Sequence, residues 1–179
     1  MTIVAGPKLI GLDAVLDDPH GVAANLPGSD TVHGLSEVEV RIADATMVTF
    51  RMTLAPWHPM AVAGYPAEQV SITVWAQGRI AAVPFDASRR SWEHKNPFVF
   101  GRLDHLGELC LWYPMDSRSL RWEWEDGFAS YVTVVHRHLQ AEEFFRRYRR
   151  WPAEDAPHGP GPHPVRTLAV HALGRDGAA

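Results

Sequence analysis

Cys110 is the single thiol in a chain of 179 residues, and it stands in Gly107-Glu108-Leu109-Cys110-Leu111-Trp112-Tyr113-Pro114. One cysteine allows no internal disulfide and no cysteine-built zinc site. Two roles remain: a nucleophile, or a small apolar side chain in the core, which is the commonest fate of a cysteine. A thiolate is nucleophilic without an attached base, because a small fraction is ionised near neutral pH and sulfur is intrinsically reactive. A neighbouring imidazole lowers a thiol pKa or shuttles its proton, and His105 and His94, both upstream of Cys110, are the candidates for that role. Peptide cleavage would require a tightly paired His and a preformed oxyanion hole. Acyl transfer between thiols and amines requires neither, and suits a lone cysteine better.

The other histidines carry less. His136 and His138 lie two apart on a predicted helix and point in different directions, unlike an i, i+4 pair that shares a metal. His158 and His163 fall in His158-Gly159-Pro160-Gly161-Pro162-His163-Pro164, where turn residues are the simpler reading than a metal-binding tract. No cofactor and no metal is called for.

The elements around the thiol follow from hydrophobic period. Residues 38–42, 47–54 and 70–75 alternate apolar and polar, as strands with one wet face do, and Ala43-Asp44-Ala45-Thr46 reads as a hairpin connection. From Arg79 to Arg102 the pattern dissolves into a long polar loop holding Pro84 and Pro97, a length that marks function or disorder. After Cys110, Trp122 and Trp124 lead into a helix over 127–150. Phe128, Tyr131, Val135 and Leu139 share one of its faces. Asp126 is the expected N-cap, and Arg146, Arg147, Arg149 and Arg150 form a solvated, dipole-compatible end before Pro152 stops the helix. A weak helical patch at Leu9–Leu16 is ended by Pro19. This order is that of an α+β domain spanning 35–155, with an N-terminal segment 1–34 and a Pro/Gly-rich tail 156–179.

Composition excludes several classes. Hydrophobic content of 46% and charged content of 21% are globular values. A formal charge of −4 argues against nucleic acid and membrane surfaces as partners. No apolar run reaches membrane-spanning length, and Met1–Lys8 lacks the basic-then-apolar layout of a signal peptide, so a cytoplasmic protein is expected. A lone cysteine agrees with a reducing compartment.

Read in order, these elements resemble the ubiquitin-conjugating (E2) fold over roughly residues 35–155. Gly107-Glu108-Leu109-Cys110-Leu111 matches the family's G-x-[IL]-C-L motif, Tyr65-Pro66 its Tyr-Pro before the third strand, and Trp124 with the following helix its crossover helix. A narrower resemblance is to the bacterial E2-like proteins of anti-phage cyclic-oligonucleotide (CBASS) operons. It is carried by Leu109-Cys110-Leu111-Trp112-Tyr113-Pro114, Trp92-Glu93-His94, and Trp151-Pro152 with Pro157-His158-Gly159.

The resemblance implies a four-stranded antiparallel meander with the helix packed on it, and thioester chemistry on Cys110. It also implies a cGAS-like nucleotidyltransferase or a ubiquitin-like C-terminus as partner, with an E1-like activating enzyme. The family's His-Pro-Asn is absent, and Arg102 stands where its Asn would be, so either oxyanion support comes from another group or acyl transfer works differently. Two further readings stay open: a non-catalytic E2-variant that only grips a partner, and a cysteine hydrolase.

Overall fold

Alternate side chains of Met47–Leu54 (β2) and Glu68–Trp75 (β3) are buried: Val48, Phe50, Met52 and Leu54 from one strand, Val70, Ile72 and Val74 from the other. A strand turns successive side chains to opposite faces, so each run supplies one apolar and one wet surface. The two pair antiparallel without interruption from Met47↔Trp75 to Leu54↔Glu68. On the wet face Thr49 and Thr73 bond across the pair, hydroxyl to hydroxyl at 3.0 Å.

The computed structural model describes residues 10–29, 32–84, 95–99, 102–112 and 117–152. Helices Leu12–Asp17 (α1) and Pro19–Asn25 (α2) precede Leu35–Asp44 (β1). The one-turn helix His58–Val62 (α3) lies between β2 and β3, and Ile80–Pro84 (β4) follows β3. The sheet order is β1-β2-β3-β4, all antiparallel. Lys95–Val99 (β5) and Arg102–Leu109 (β6) form a separate two-stranded hairpin alongside β4, and Phe128–Tyr148 (α4) packs on the sheet. Phe50 meets Phe128 with ring centroids 4.9 Å apart, and Tyr131, Val132, Val135 and Leu139 complete the helix's buried face. The molecule is thus an α+β protein built on a four-stranded antiparallel meander. Among the described residues no helix is long and apolar enough to cross a membrane.

The expected long loop at 79–102 is corrected. It contains β4 and β5, and β6 opens at Arg102. β4 escapes periodicity because Ala81 and Ala82 are both buried in succession. Pro84 falls at its last position, where a missing N–H is tolerated. The β3–β4 turn closes with Trp75 N–H donating to the Arg79 carbonyl at 2.9 Å. Gly78 takes the φ of +83° that the turn requires.

Three local expectations also change. Pro19 ends α1 but is the first residue of α2, where its missing N–H costs nothing, and Asp18 caps that turn by accepting from Gly21 N–H at 2.9 Å. The N-cap of α4 is Gly127, and Asp126 instead closes the preceding turn, accepting from Glu123 N–H at 2.9 Å and gripping Arg118. The first N–H of α4 donates to the Ile10 carbonyl at 2.8 Å, so a tertiary contact supplies what the cap side chain would have.

The basic end of α4 is not wholly solvated. Arg146 pairs with Glu143 at 2.8 Å and with Glu68 on β3 at 3.1 Å. Arg147 pairs with Glu143, donates to the carbonyls of Ala63 and Gly64, and lies over the Tyr65 ring. Arg149 and Arg150 are exposed.

The segment ahead of the sheet shares the one core, since Val15, Val22, Ala23 and Leu26 pack with the strand and helix side chains. The 156–179 tail lies outside the described residues.

His136 faces inward on α4, 3% exposed, with its ring edge on Trp57. Burial, with a smaller push from His33, lowers its pKa from 6.5 to about 4, against a hydrogen bond to the Ala55 backbone that favours the proton. In the unfolded chain this group protonates near pH 6.5. Between that pH and about 4 the unfolded state therefore binds the extra proton, and stability falls as pH drops. The shift converts to a loss of about 3 kcal/mol across that window. Urea midpoints at pH 7 and 4.5 should show His136→Phe losing less stability on acidification than the wild type. Equal losses in the two proteins would remove His136 as the cause.

Candidate functional site

β6 delivers the thiol through a break in its own ladder. Asn96↔Glu108 and Phe98↔Leu103 are both in register, with an irregularity between them. Gly107 sits in that irregularity with φ +67°, a backbone state that glycine enters without steric cost. Pro97 occupies the same break on β5, where a lost N–H removes no ladder bond. The Gly of the Gly-x-apolar-Cys-Leu string therefore has a backbone reason. Beyond it the chain is extended again: Leu109 points into the core at 4% exposure, and Glu108 and Cys110 flank it.

Cys110 is half-buried, with Sγ 3.9 Å from the Trp112 carbonyl. It opens onto a cavity of about 230 Å³ whose walls include Ile80, Glu108, Trp112 and Tyr131. The sulfur is therefore partly accessible from that cavity. Trp112, from the segment after the cysteine, lines the cavity, and residues 85–94 lie outside the described residues.

The groups that share the cavity were not singled out in the sequence. Glu108 is partly buried and pairs with Arg79 at 3.1 Å. Burial pushes its carboxyl above the usual range, and the Arg79 charge and hydrogen bond oppose that rise. Tyr131 is buried beneath, its phenol held well above 10 by burial and by the Glu108 charge. Period two along a strand made Glu108 legible as a near neighbour of Cys110. Arg79 and Tyr131 are distant in sequence and carry no signal there.

Trp112 is held by rings. It meets Tyr131 edge-on at 6.0 Å and Trp122 at 6.4 Å, and Trp122 meets Tyr131 at 4.9 Å. Trp122 Nε1–H donates to the Gly127 carbonyl at 3.0 Å, and Trp124 Nε1–H to the Gly78 carbonyl at 2.7 Å. These bonds tie the segment after the cysteine to the start of α4 and to the β3–β4 turn. Buried indoles need such partners, and here they fix the cavity wall.

His105 lies in β6, with the Gly107 break between it and Cys110. Its side chain, and the whole of His94, lie outside the described residues. His136 and His138 stand apart from Cys110's cavity: His136 is bonded to Gln140 at 2.8 Å, and His138 lies 3.6 Å from the buried Glu142. Among the described residues no three His, Cys, Asp or Glu side chains converge as a metal would require.

This arrangement places a half-buried thiol and a carboxyl whose pKa burial raises in one cavity, with Trp112 and Tyr131 among its lining. No protein-family model matches the chain, and no curated protein is matched by its sequence.

Proposed function

We propose that this chain is an E2-like acyl transferase with a ubiquitin-conjugating type of fold, acting in bacterial anti-phage signalling of the CBASS kind. The observation that carries the reading is Cys110 itself. Its half-buried sulfur follows a four-strand meander, shares a cavity with Glu108 and precedes the helix packed on the sheet. Those features support an acyl carrier better than a core cysteine, which needs neither a cavity nor a neighbouring carboxylate.

In the first step Cys110 Sγ attacks the carbonyl carbon of an activated protein C-terminus carried by an E1-like enzyme. An S–C bond forms, the bond to the donor's sulfur breaks, and the donor thiol leaves with the proton. In the second step an amine of the acceptor attacks the thioester. The C–N bond forms, the C–S bond breaks, and the amine's surplus proton passes to the Glu108 carboxylate and on to water. A carboxyl with a raised pKa is a better proton acceptor than an ordinary one, because its affinity for the proton lies closer to working pH. The cGAS-like nucleotidyltransferase or a ubiquitin-like protein supplies the C-terminus. Binding without transfer would leave the E2-variant reading, and hydrolysis without transfer the hydrolase.

The test is to combine the protein with candidate partner and activating enzyme, quench in acid and run non-reducing gels. A band at the sum of the two masses that collapses with thiol reductant is expected. Its absence with every partner encoded beside the gene would sink the proposal.

Glu108→Gln refines the mechanism. It keeps the side chain's size and a neutral acceptor for Arg79 but cannot take the proton. Loading of Cys110 should persist, while single-turnover transfer to a lysine amine falls by about 10–100-fold, in line with positioned acid–base groups. In the wild type the rate should rise with pH as Glu108 ionises, and that limb should vanish in the variant. A wild-type profile retained in Glu108→Gln would assign the limb to another group.

A further inference from the structure

The side of α4 turned away from the sheet forms the floor of a groove of about 580 Å³, walled by Trp57, Trp112 and Trp151 and rimmed by Leu120. Leu120 is 69% exposed, an apolar side chain that the core does not use. In the floor Gln140 is only 7% exposed, and its amide nitrogen lies 2.8 Å from His136 Nε2.

The buried His136 ring is neutral at neutral pH and bonds the Ala55 backbone. A neutral imidazole has one N–H; spent on Ala55, it leaves Nε2 as an acceptor, so Gln140 is the donor of the pair. That fixes which way the amide points. Gln140 Oε1 is left as a buried acceptor with no hydrogen-bond partner, in a residue that lines the groove. Native proteins rarely leave such an atom without a partner, and one in a groove-lining residue points to a missing donor. Beside it on the same wall stands Arg137, exposed and without an ion pair among the described residues.

We propose that this groove binds an extended segment of a partner protein that presents an apolar side chain next to a carboxylate. The apolar side chain packs among the three tryptophans and Leu120. A rotation of the Gln140 side chain brings Oε1 to the groove surface, where it accepts a backbone N–H of the segment, and the carboxylate pairs with Arg137. An extended peptide is the occupant that fits, since every residue of it except proline carries the N–H donor that Gln140 Oε1 lacks. The open rim at Leu120 and the exposed cation at Arg137 then select apolar and acidic side chains. Leu111 and Trp112 line both this groove and the cavity of Cys110, so the bound segment lies beside the thiol. Binding does not depend on the acyl chemistry; only its delivery of an acceptor or donor to Cys110 rests on the function proposed above.

The test uses the full chain as Cys110→Ser, which removes the thiol, and two fluorescein-labelled hexapeptides read by anisotropy. Both peptides contain adjacent leucine and phenylalanine, flanked by glutamates in one and by lysines in the other. The acidic peptide should bind saturably, with the lysine peptide about tenfold weaker or worse. Arg137→Glu should reverse that preference, and Leu120→Ser should weaken both peptides about fivefold or more. Both positions are on the surface, so the fold is not at stake. Gln140→Met, with its melting temperature checked, should weaken the acidic peptide without changing the charge preference.

The proposal is overturned if neither peptide saturates, or if Arg137→Glu leaves the preference unchanged. It is also overturned if the protein self-associates and Leu120→Ser dissociates it, which would give the groove to a second copy. Thioester formation without peptide binding sinks the groove alone, and peptide binding without thioester formation sinks the chemistry alone.

Discussion

Cys110→Ala should abolish the reductant-sensitive adduct and all transfer to amine while the domain stays folded. The activity half follows from number: no second thiol exists to take the acyl group. The stability half follows from size and place. The substitution removes one sulfur from a half-buried side chain at the mouth of a cavity, so little packing is lost. The cost should be about 1 kcal/mol, which a domain of ordinary stability absorbs. Thermal unfolding followed by circular dichroism and the non-reducing gel are read on the same preparations. Cys110→Ser sharpens the result, because an oxygen ester resists both thiol reductant and amine. Its adduct should therefore accumulate and survive reductant, then hydrolyse in base. An adduct undiminished in Cys110→Ala would place the bond on another residue and end the thioester mechanism.

Phe128→Ala should be among the most damaging changes to stability. Phe128 is fully buried, meets Phe50 on β2 and lies in the first turn of α4. Removing a buried aromatic forfeits its transfer free energy and leaves a cavity, at about 3–5 kcal/mol. For a protein of this size that corresponds to a fall of about 10 °C in melting temperature. The effect reaches the site as well, because Tyr131 is the next inward residue of the same helix and forms the cavity's floor. Transfer measured well below the new melting temperature should still be reduced. A loss of under ~1 kcal/mol by urea titration would mean that the sheet and helix do not share a core at this point.

Much of the fold was legible because its signals are local. The alternation at 47–54 returned as β2 without change, and the 127–150 helix as Phe128–Tyr148. The face of Phe128, Tyr131, Val135 and Leu139 is the buried one. What failed did so for stated reasons. β4 carries two buried alanines in a row, so period two is absent. β5 holds Pro97, which reads as a strand breaker until the break in register at Gly107 is seen. Asp126 was an attractive cap by type, yet Arg118 and the Glu123 amide hold it in the preceding turn, one residue ahead of the cap. Arg146 and Arg147 read as solvated charges because their partners, Glu68 and the Ala63–Gly64 carbonyls, lie across the fold.

At the site the division is the same. The sequence alone determined that there is one thiol, that a glycine stands three residues before it, and that Glu108 lies two residues before it. It also determined that the strands precede the long helix, since hydrophobic period is written residue by residue. Only the tertiary structure decided that Arg79 reaches Glu108, that Tyr131 closes the cavity from beneath, and that Gln140 is left with an unmet acceptor in a tryptophan-walled groove. Each of these depends on residues far apart in the chain meeting in a low-dielectric interior. There burial moves a carboxyl or imidazole pKa, and makes an unpaired oxygen costly, by amounts that no local pattern of residue types encodes.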